Sequence, residues 1–297
     1  MTVALQSRAL TKRYGRRQAL TDCELSVPAG RIAGLVGPNG AGKTTLLHLA
    51  VGLLAPTSGT IEVLGEPPAS SPAQLARVGF VAQDTPAYGR LSIADHLKLG
   101  ARMNPGWDDQ LAQRRISDLG LEPRQKAGKL SGGQRAQLAL TLGIAKRPEF
   151  LILDEPVASL DPLARREFLQ GLMAAAVDQE LTVLISSHLV ADLERVCDYL
   201  IVLQDSRVQL AGDVDGLLAT HRLLSGPRCD SAQLPAAWQV ISASHTDRQS
   251  TLLVRTSEPV TDASWSVAEI SMEDLVLAYM SNATVAPSRD RTLEVQR

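Results

Sequence analysis

Up to about Thr220, short apolar runs bounded by Gly and Pro alternate with longer stretches whose apolar residues recur at helical spacing. This is the pattern of an α/β domain. The main strands are expected at residues 31–36, 78–82, 150–153 and 182–186. Residues 19–27 and 60–63 alternate apolar and polar positions and read as β-hairpin material, a small antiparallel sheet beside a mainly parallel one. Helices are expected at 43–51, 93–101, 109–119, 133–145, 162–176 and 189–196, with Leu163, Phe168 and Leu172 marking an apolar stripe.

The character changes after Ser225-Gly226-Pro227, which reads as a break. Strand-like runs follow at 238–242, 251–255 and 265–270, then one helix at 272–280 and a polar tail. The expected organisation is a main domain over 1–220 with a helical subdomain at about 84–147, a small α+β appendage over 221–280, and a disordered tail over 281–297.

Composition narrows the partners. With 297 residues, 44% of them hydrophobic, the chain can build its own core. A net charge of −2 argues against nucleic acid, which proteins bind through a basic surface. Cys23, Cys197 and Cys229 are widely separated and lack Cys-x-x-Cys spacing, which fits reduced thiols in the cytosol. Neither a signal peptide nor a run approaching the ~20 apolar residues of a spanning helix is read, so any membrane role needs a partner.

The chemistry begins at Gly37-Pro38-Asn39-Gly40-Ala41-Gly42-Lys43-Thr44-Thr45, which satisfies G-x-x-x-x-G-K-[S/T] between an expected strand and an expected helix. Glycines let successive backbone N–H groups turn around phosphate oxygens, and the following helix aims its positive end at them. Lys43 adds a full charge at the β- and γ-phosphates of a nucleoside triphosphate, and the Thr44 hydroxyl suits Mg²⁺. Leu151-Ile152-Leu153-Asp154-Glu155-Pro156 is an apolar strand ending in adjacent carboxylates. Asp154 suits the Mg²⁺ shell through water, and Glu155 suits a general base acting on the attacking water.

Leu130-Ser131-Gly132-Gly133-Gln134-Arg135, just before the helix leading into that acidic strand, resembles the signature of ATP-binding cassette (ABC) ATPases. The resemblance covers about Val3 to Thr220 and implies a P-loop NTPase core carrying a helical signature subdomain. It further implies that two cassettes close head to tail, with Ser131, Gly132, Gly133 and Gln134 of one chain completing the ATP site of the other. Other positions then match the family: Tyr14 as the aromatic stacking on adenine, Gln83 as the Mg²⁺ and water sensor, Ser159-Leu160-Asp161 as the dimer loop, and His188 as the γ-phosphate-contacting histidine. A lone cassette of this kind resembles the ATPase subunit of bacterial transporters, working as a homodimer or heterodimer with a separately encoded permease at the cytoplasmic face of the membrane. In the family, residues 84–104 would receive a coupling helix from that permease, although Leu91, Ile93, Leu97 and Leu99 equally suit internal core. Ile270-Ser271-Met272-Glu273-Asp274-Leu275 resembles the tails of drug- and antibiotic-export cassettes, with an importer or a soluble cassette as the alternatives.

Overall fold

In the computed structural model, which describes residues 2–83, 87–229 and 234–281, the first residues form β1 (Val3–Tyr14). The chain turns at Gly15-Arg16 into β2 (Arg17–Pro28), then crosses to β3 (Ile32–Val36) and α1 (Lys43–Ala50) before returning as β4 (Ser58–Val63). The antiparallel order is β2-β1-β4. The two runs expected as hairpin material therefore flank β1, whose Leu5, Ser7 and Leu10 face inward and supply the middle strand.

Next come α2 (Pro72–Arg77), β5 (Val78–Val81), α3 (Ile93–Met103), α4 (Asp109–Asp118) and α5 (Gly132–Ala145). They are followed by β6 (Phe150–Leu153), α6 (Pro162–Gln179), β7 (Thr182–Ser187), α7 (Val190–Leu193), β8 (Tyr199–Gln204) and β9 (Arg207–Asp213). The second sheet has the order β5-β6-β7-β3-β8-β9, parallel from β5 to β8 and antiparallel at β9. The turn between β8 and β9 places Asp205 at φ 49 and Ser206 at φ 63, the twist a two-residue hairpin requires. Asp205 and Ser206 are turn formers, but no Gly or Asn stands there, so the signal for a tight hairpin is weak.

Two apolar clusters build this part of the chain. One packs Leu5, Leu20, Leu46 and Leu47 with Phe150, Ile152, Leu184 and Ile201. The other joins Ile93, Leu97, Ala112, Ile116, Leu130 and Leu138, so α3, α4 and α5 have a core of their own. Ile93 and Leu97 are thus internal. Leu163 departs from the expected stripe at 66% exposure, whereas Phe168 and Leu172 are fully buried. Five residues of helix rotate Leu163 about 140° away from Phe168. The helix expected over 189–196 closes after Leu193, where Val196 and Cys197 both turn back to donate to the Leu193 carbonyl.

The chain divides into two units between Asp215 and Gly216, within α8 (Val214–Thr220). The second unit contains β10 (His221–Pro227), β11 (Gln239–His245), β12 (Gln249–Arg255), β13 (Ser266–Ala268) and α9 (Met272–Ser281). Its sheet order is β11-β12-β10-β13. Ser225-Gly226-Pro227 is therefore not a break but the end of an inner strand. Two packing facts permit this. A Cβ on Gly226 would lie 2.6 Å from Trp265 Cε3, so glycine makes room for the ring. Pairing with β13 ends at Ser225, so Pro227 sacrifices no ladder bond on that side. The export-like phrase at 270–275 is locally a cap: Ser271 Oγ accepts from Asp274 N, and the Asp274 carboxylate accepts from Ser271 N. The expected tail lies outside the described residues beyond Ser281.

Candidate active site

The C-terminal ends of adjacent parallel strands gather the phosphate loop, Gln83, the acidic pair and His188, as expected of ligand sites in such sheets. The phosphate loop follows β3, Gln83 follows β5, Asp154 and Glu155 follow β6, and His188 follows β7. Gly42 caps α1 at φ 111, and a Cβ there would stand 2.4 Å from the Ala19 carbonyl oxygen, so only glycine fits. Lys43, the first helical residue, donates to the Gly37 carbonyl at 2.8 Å and meets Glu155 Oε1 at 3.2 Å. Both side chains are nearly buried, at 5% and 11% exposure, so each is the other's charge partner.

Glu155 is the node. Its second carboxylate oxygen accepts from His188 Nδ1 at 2.9 Å. Its backbone lies at φ 43, a left-handed conformation that costs a non-glycine residue about 1 kcal/mol or more. The Ser186 hydroxyl holds it there, accepting from Glu155 N at 2.8 Å while donating to Asp154 Oδ1 at 2.7 Å. One buried hydroxyl at the end of β7 thereby fixes both members of the acidic pair.

Tyr14, Asn39, Gly40, Gly42, Lys43, Thr44, Thr45, Gln83, Glu155 and His188 line one cleft of about 560 Å³. Arg17, Ala19 and Ala158 line it too. Tyr14 is 47% exposed with the Lys12 ammonium 5.4 Å from its ring centre. Asp154 is not in the lining; it sits behind Glu155 at 1% exposure.

Ser131, Gly132, Gly133 and Gln134 are also absent from that lining and open α5 instead. Ser131 Oγ accepts from Gln134 N at 3.2 Å and Gln134 Oε1 accepts from Ser131 N at 3.0 Å, a reciprocal cap. Ser131 and Gly132 are exposed, so this helix N-terminus faces outward. Asp161 caps α6, accepting from Leu163 N and Ala164 N, both at 3.0 Å, while Leu160 is buried.

The donor chemistry fits Mg²⁺. Thr44, Gln83 and Asp154 offer oxygens, the hard ligands this ion takes. Among the described residues, no group of three or more His, Cys, Asp or Glu gathers to cage a metal.

Ser186 and Arg17 were missed by reading motifs. Ser186 precedes His188 in an apolar strand and carries no motif, so only the fold brings it to Asp154. Arg17 was findable: a two-residue turn at Gly15-Arg16 pairs it directly with Tyr14.

A family model described as ABC transporter matches residues 20–158. That span holds the phosphate loop, Gln83, the Ser131 to Gln134 string and Glu155, and excludes Tyr14 and His188. The chain is 37% identical over 217 residues to the Nod factor export ATP-binding protein I of Cupriavidus pinatubonensis, covering 70% of this chain and 65% of that protein, slightly under two thirds of its length. It is 34% identical to the uncharacterized ABC transporter ATP-binding protein YxlF of Bacillus subtilis, covering 72% of each. The thiamine import ATP-binding protein ThiQ of Salmonella choleraesuis is 36% identical, covering 66% of this chain and 85% of that protein. Among solved structures, an ATP binding subunit of an ABC transporter superposes with a TM-score of 0.65 at 26% identity, covering 72% of this chain and 91% of that one.

Proposed function

This chain belongs to the ABC transporter family as an ATP-binding cassette, and from that premise we propose that it hydrolyses ATP to drive export through a separate membrane subunit. The observation that carries the hydrolysis is the Glu155 carboxylate, which lies between Lys43 at 3.2 Å and His188 at 2.9 Å in a cleft also lined by Tyr14 and Gln83. Tyr14 stacks on adenine, and residues 37–45 cradle the phosphates with Lys43 at the β- and γ-positions. Glu155 takes the proton of the attacking water as its oxygen bonds the γ-phosphorus, His188 holds the γ-phosphate, and ADP leaves. Bound Mg²⁺, held by Thr44 and Gln83 and through water by Asp154, would neutralise charge on the β- and γ-oxygens.

The outward-facing cap at Ser131 supports a shared site. A helix N-terminus that stands apart from its own phosphate loop is useful to a second cassette, so two chains close around two ATP molecules. Ser159, Leu160 and Asp161 join that contact. Glu155→Gln tests the base: hydrolysis should fall about 10²- to 10⁴-fold while ATP binding persists. Hydrolysis at the wild-type rate would show that Glu155 is not the base.

None of the described helices is long and apolar enough to cross a membrane, so the transport reading requires a permease partner at the cytoplasmic face. A second cleft of about 590 Å³, lined by Leu53, Leu75, Phe80, Ala87, Leu142 and Lys146, is mostly apolar. Leu53 and Leu75 stand 63% and 45% exposed at its rim, which suits an amphipathic helix from that partner. Export rests on the tail phrase and on the Nod factor relative; the thiamine import relative favours the opposite direction. Copurification of the permease and transport in inside-out vesicles decide both points, and recovery only as a soluble species without a membrane protein would sink the transport reading.

A further inference from the structure

We infer that Arg17 is a second phosphate-binding cation of the nucleotide site, an inference that rests on the ATP reading above. Tyr14 and Arg17 are direct partners across the turn between β1 and β2. Residues directly opposite in an antiparallel ladder project to the same face. Both side chains accordingly line the same cleft. Tyr14 offers a ring for the base, and Arg17 reaches past it to the phosphate loop. Its Nη2 stands 3.5 Å from the place a Cβ would take on Gly40, in the middle of the residues that wrap the phosphates.

The charge of Arg17 is uncommitted. Arg31, Arg77, Arg147, Arg165 and Arg207 each meet a carboxylate, whereas Arg17 forms no ion pair with any described residue. A guanidinium presents several N–H donors in a plane that matches two phosphate oxygens at once. Lys43 addresses the phosphates from the floor of the loop, and Arg17 addresses them from the hairpin above. Because ADP and ATP both carry phosphates beside Gly40, the contact is made equally in ground and transition states. Such uniform binding lowers KM and leaves kcat unchanged.

Arg17→Gln and Arg17→Lys, assayed beside Lys43→Ala, test the inference through ATP and ADP binding by calorimetry and steady-state hydrolysis. Arg17→Gln should weaken ATP and ADP about tenfold, raise KM to match and leave kcat within about twofold. Arg17→Lys, which keeps the charge but loses the planar pair of donors, should recover only part of that loss, and the difference between Arg17→Gln and wild type should shrink in ~1 M salt, where exposed charge contacts are screened. Unchanged ATP and ADP affinity in Arg17→Gln, or a loss confined to kcat, overturns the assignment. If Arg17→Gln fails in either way while Lys43→Ala abolishes ATP binding, the nucleotide site stands and only Arg17 is misassigned. Undiminished ATP binding in Lys43→Ala overturns the nucleotide reading itself.

Discussion

Replacing Ser186 by alanine removes the one hydroxyl that ties Glu155 to Asp154. Ser186 is fully buried, accepting from Glu155 N at 2.8 Å and donating to Asp154 Oδ1 at 2.7 Å. A hydrogen bond to a charged group contributes about 1.5–3 kcal/mol, and a buried N–H left without a partner costs about 1–3 kcal/mol. Allowing for partial relaxation, Ser186→Ala should destabilise the first unit by about 2–4 kcal/mol. At roughly 2–4 °C per kcal/mol for a domain of this size, its calorimetric transition should fall by about 4–16 °C. Function should suffer as well, because the freed amide no longer opposes the tendency of Glu155 to leave φ 43. The carboxylate would then drift from its place between Lys43 and His188, so kcat should drop more than KM rises. Calorimetry and steady-state hydrolysis on the same preparation read both effects. A transition within about 1 °C of wild type together with unchanged kcat would refute the claim that this hydroxyl holds the acidic pair.

Two further changes probe other parts of the molecule. Ser131→Arg should abolish hydrolysis in homodimers by spoiling the site built on the partner's phosphate loop, while mixing it with Lys43→Ala chains leaves one intact site and restores part of the rate. Full activity of Ser131→Arg homodimers would rule out the shared geometry. In the second unit, the fully buried His221 donates from Nδ1 to the Leu217 carbonyl at 2.7 Å and pairs through Nε2 with the Tyr279 hydroxyl at 3.0 Å, the neutral ring being the form in which that nitrogen accepts. Burial, with Arg255 and Arg222 nearby, pushes its pKa below the ordinary histidine value. The unfolded chain therefore binds more protons, and this stabilisation is complete above about pH 6.5 and lost as pH falls towards the depressed folded value. Guanidinium midpoints followed by the fluorescence of Trp238 and Trp265 should drop between pH 8 and pH 5, and His221→Gln should flatten that slope; equal slopes in both proteins would exclude His221 as its source.

Much of the site is local and therefore legible in one dimension. The phosphate loop needs its glycines and lysine at fixed spacing, the Ser131 to Gln134 cap closes within a single turn, and Glu155 ends a run of apolar residues. These features depend on neighbours in the chain, so the sequence by itself determined the nucleotide-binding loop and the strand–loop–helix frame that presents it. Residues whose partners are distant in the chain carried no such mark. Ser186 is an ordinary strand serine until β7 packs beside β6, 31 residues of separation being spanned by its bond to Glu155. The hairpin at Asp205-Ser206 lacks the glycine that marks a tight turn most strongly, and Pro227 reads as a break until β13 is seen to stop short of it. Only the tertiary structure decided that Glu155, Lys43 and His188 share one cleft and that Ser131 does not, because strand order and helix direction fix which ends of the elements meet.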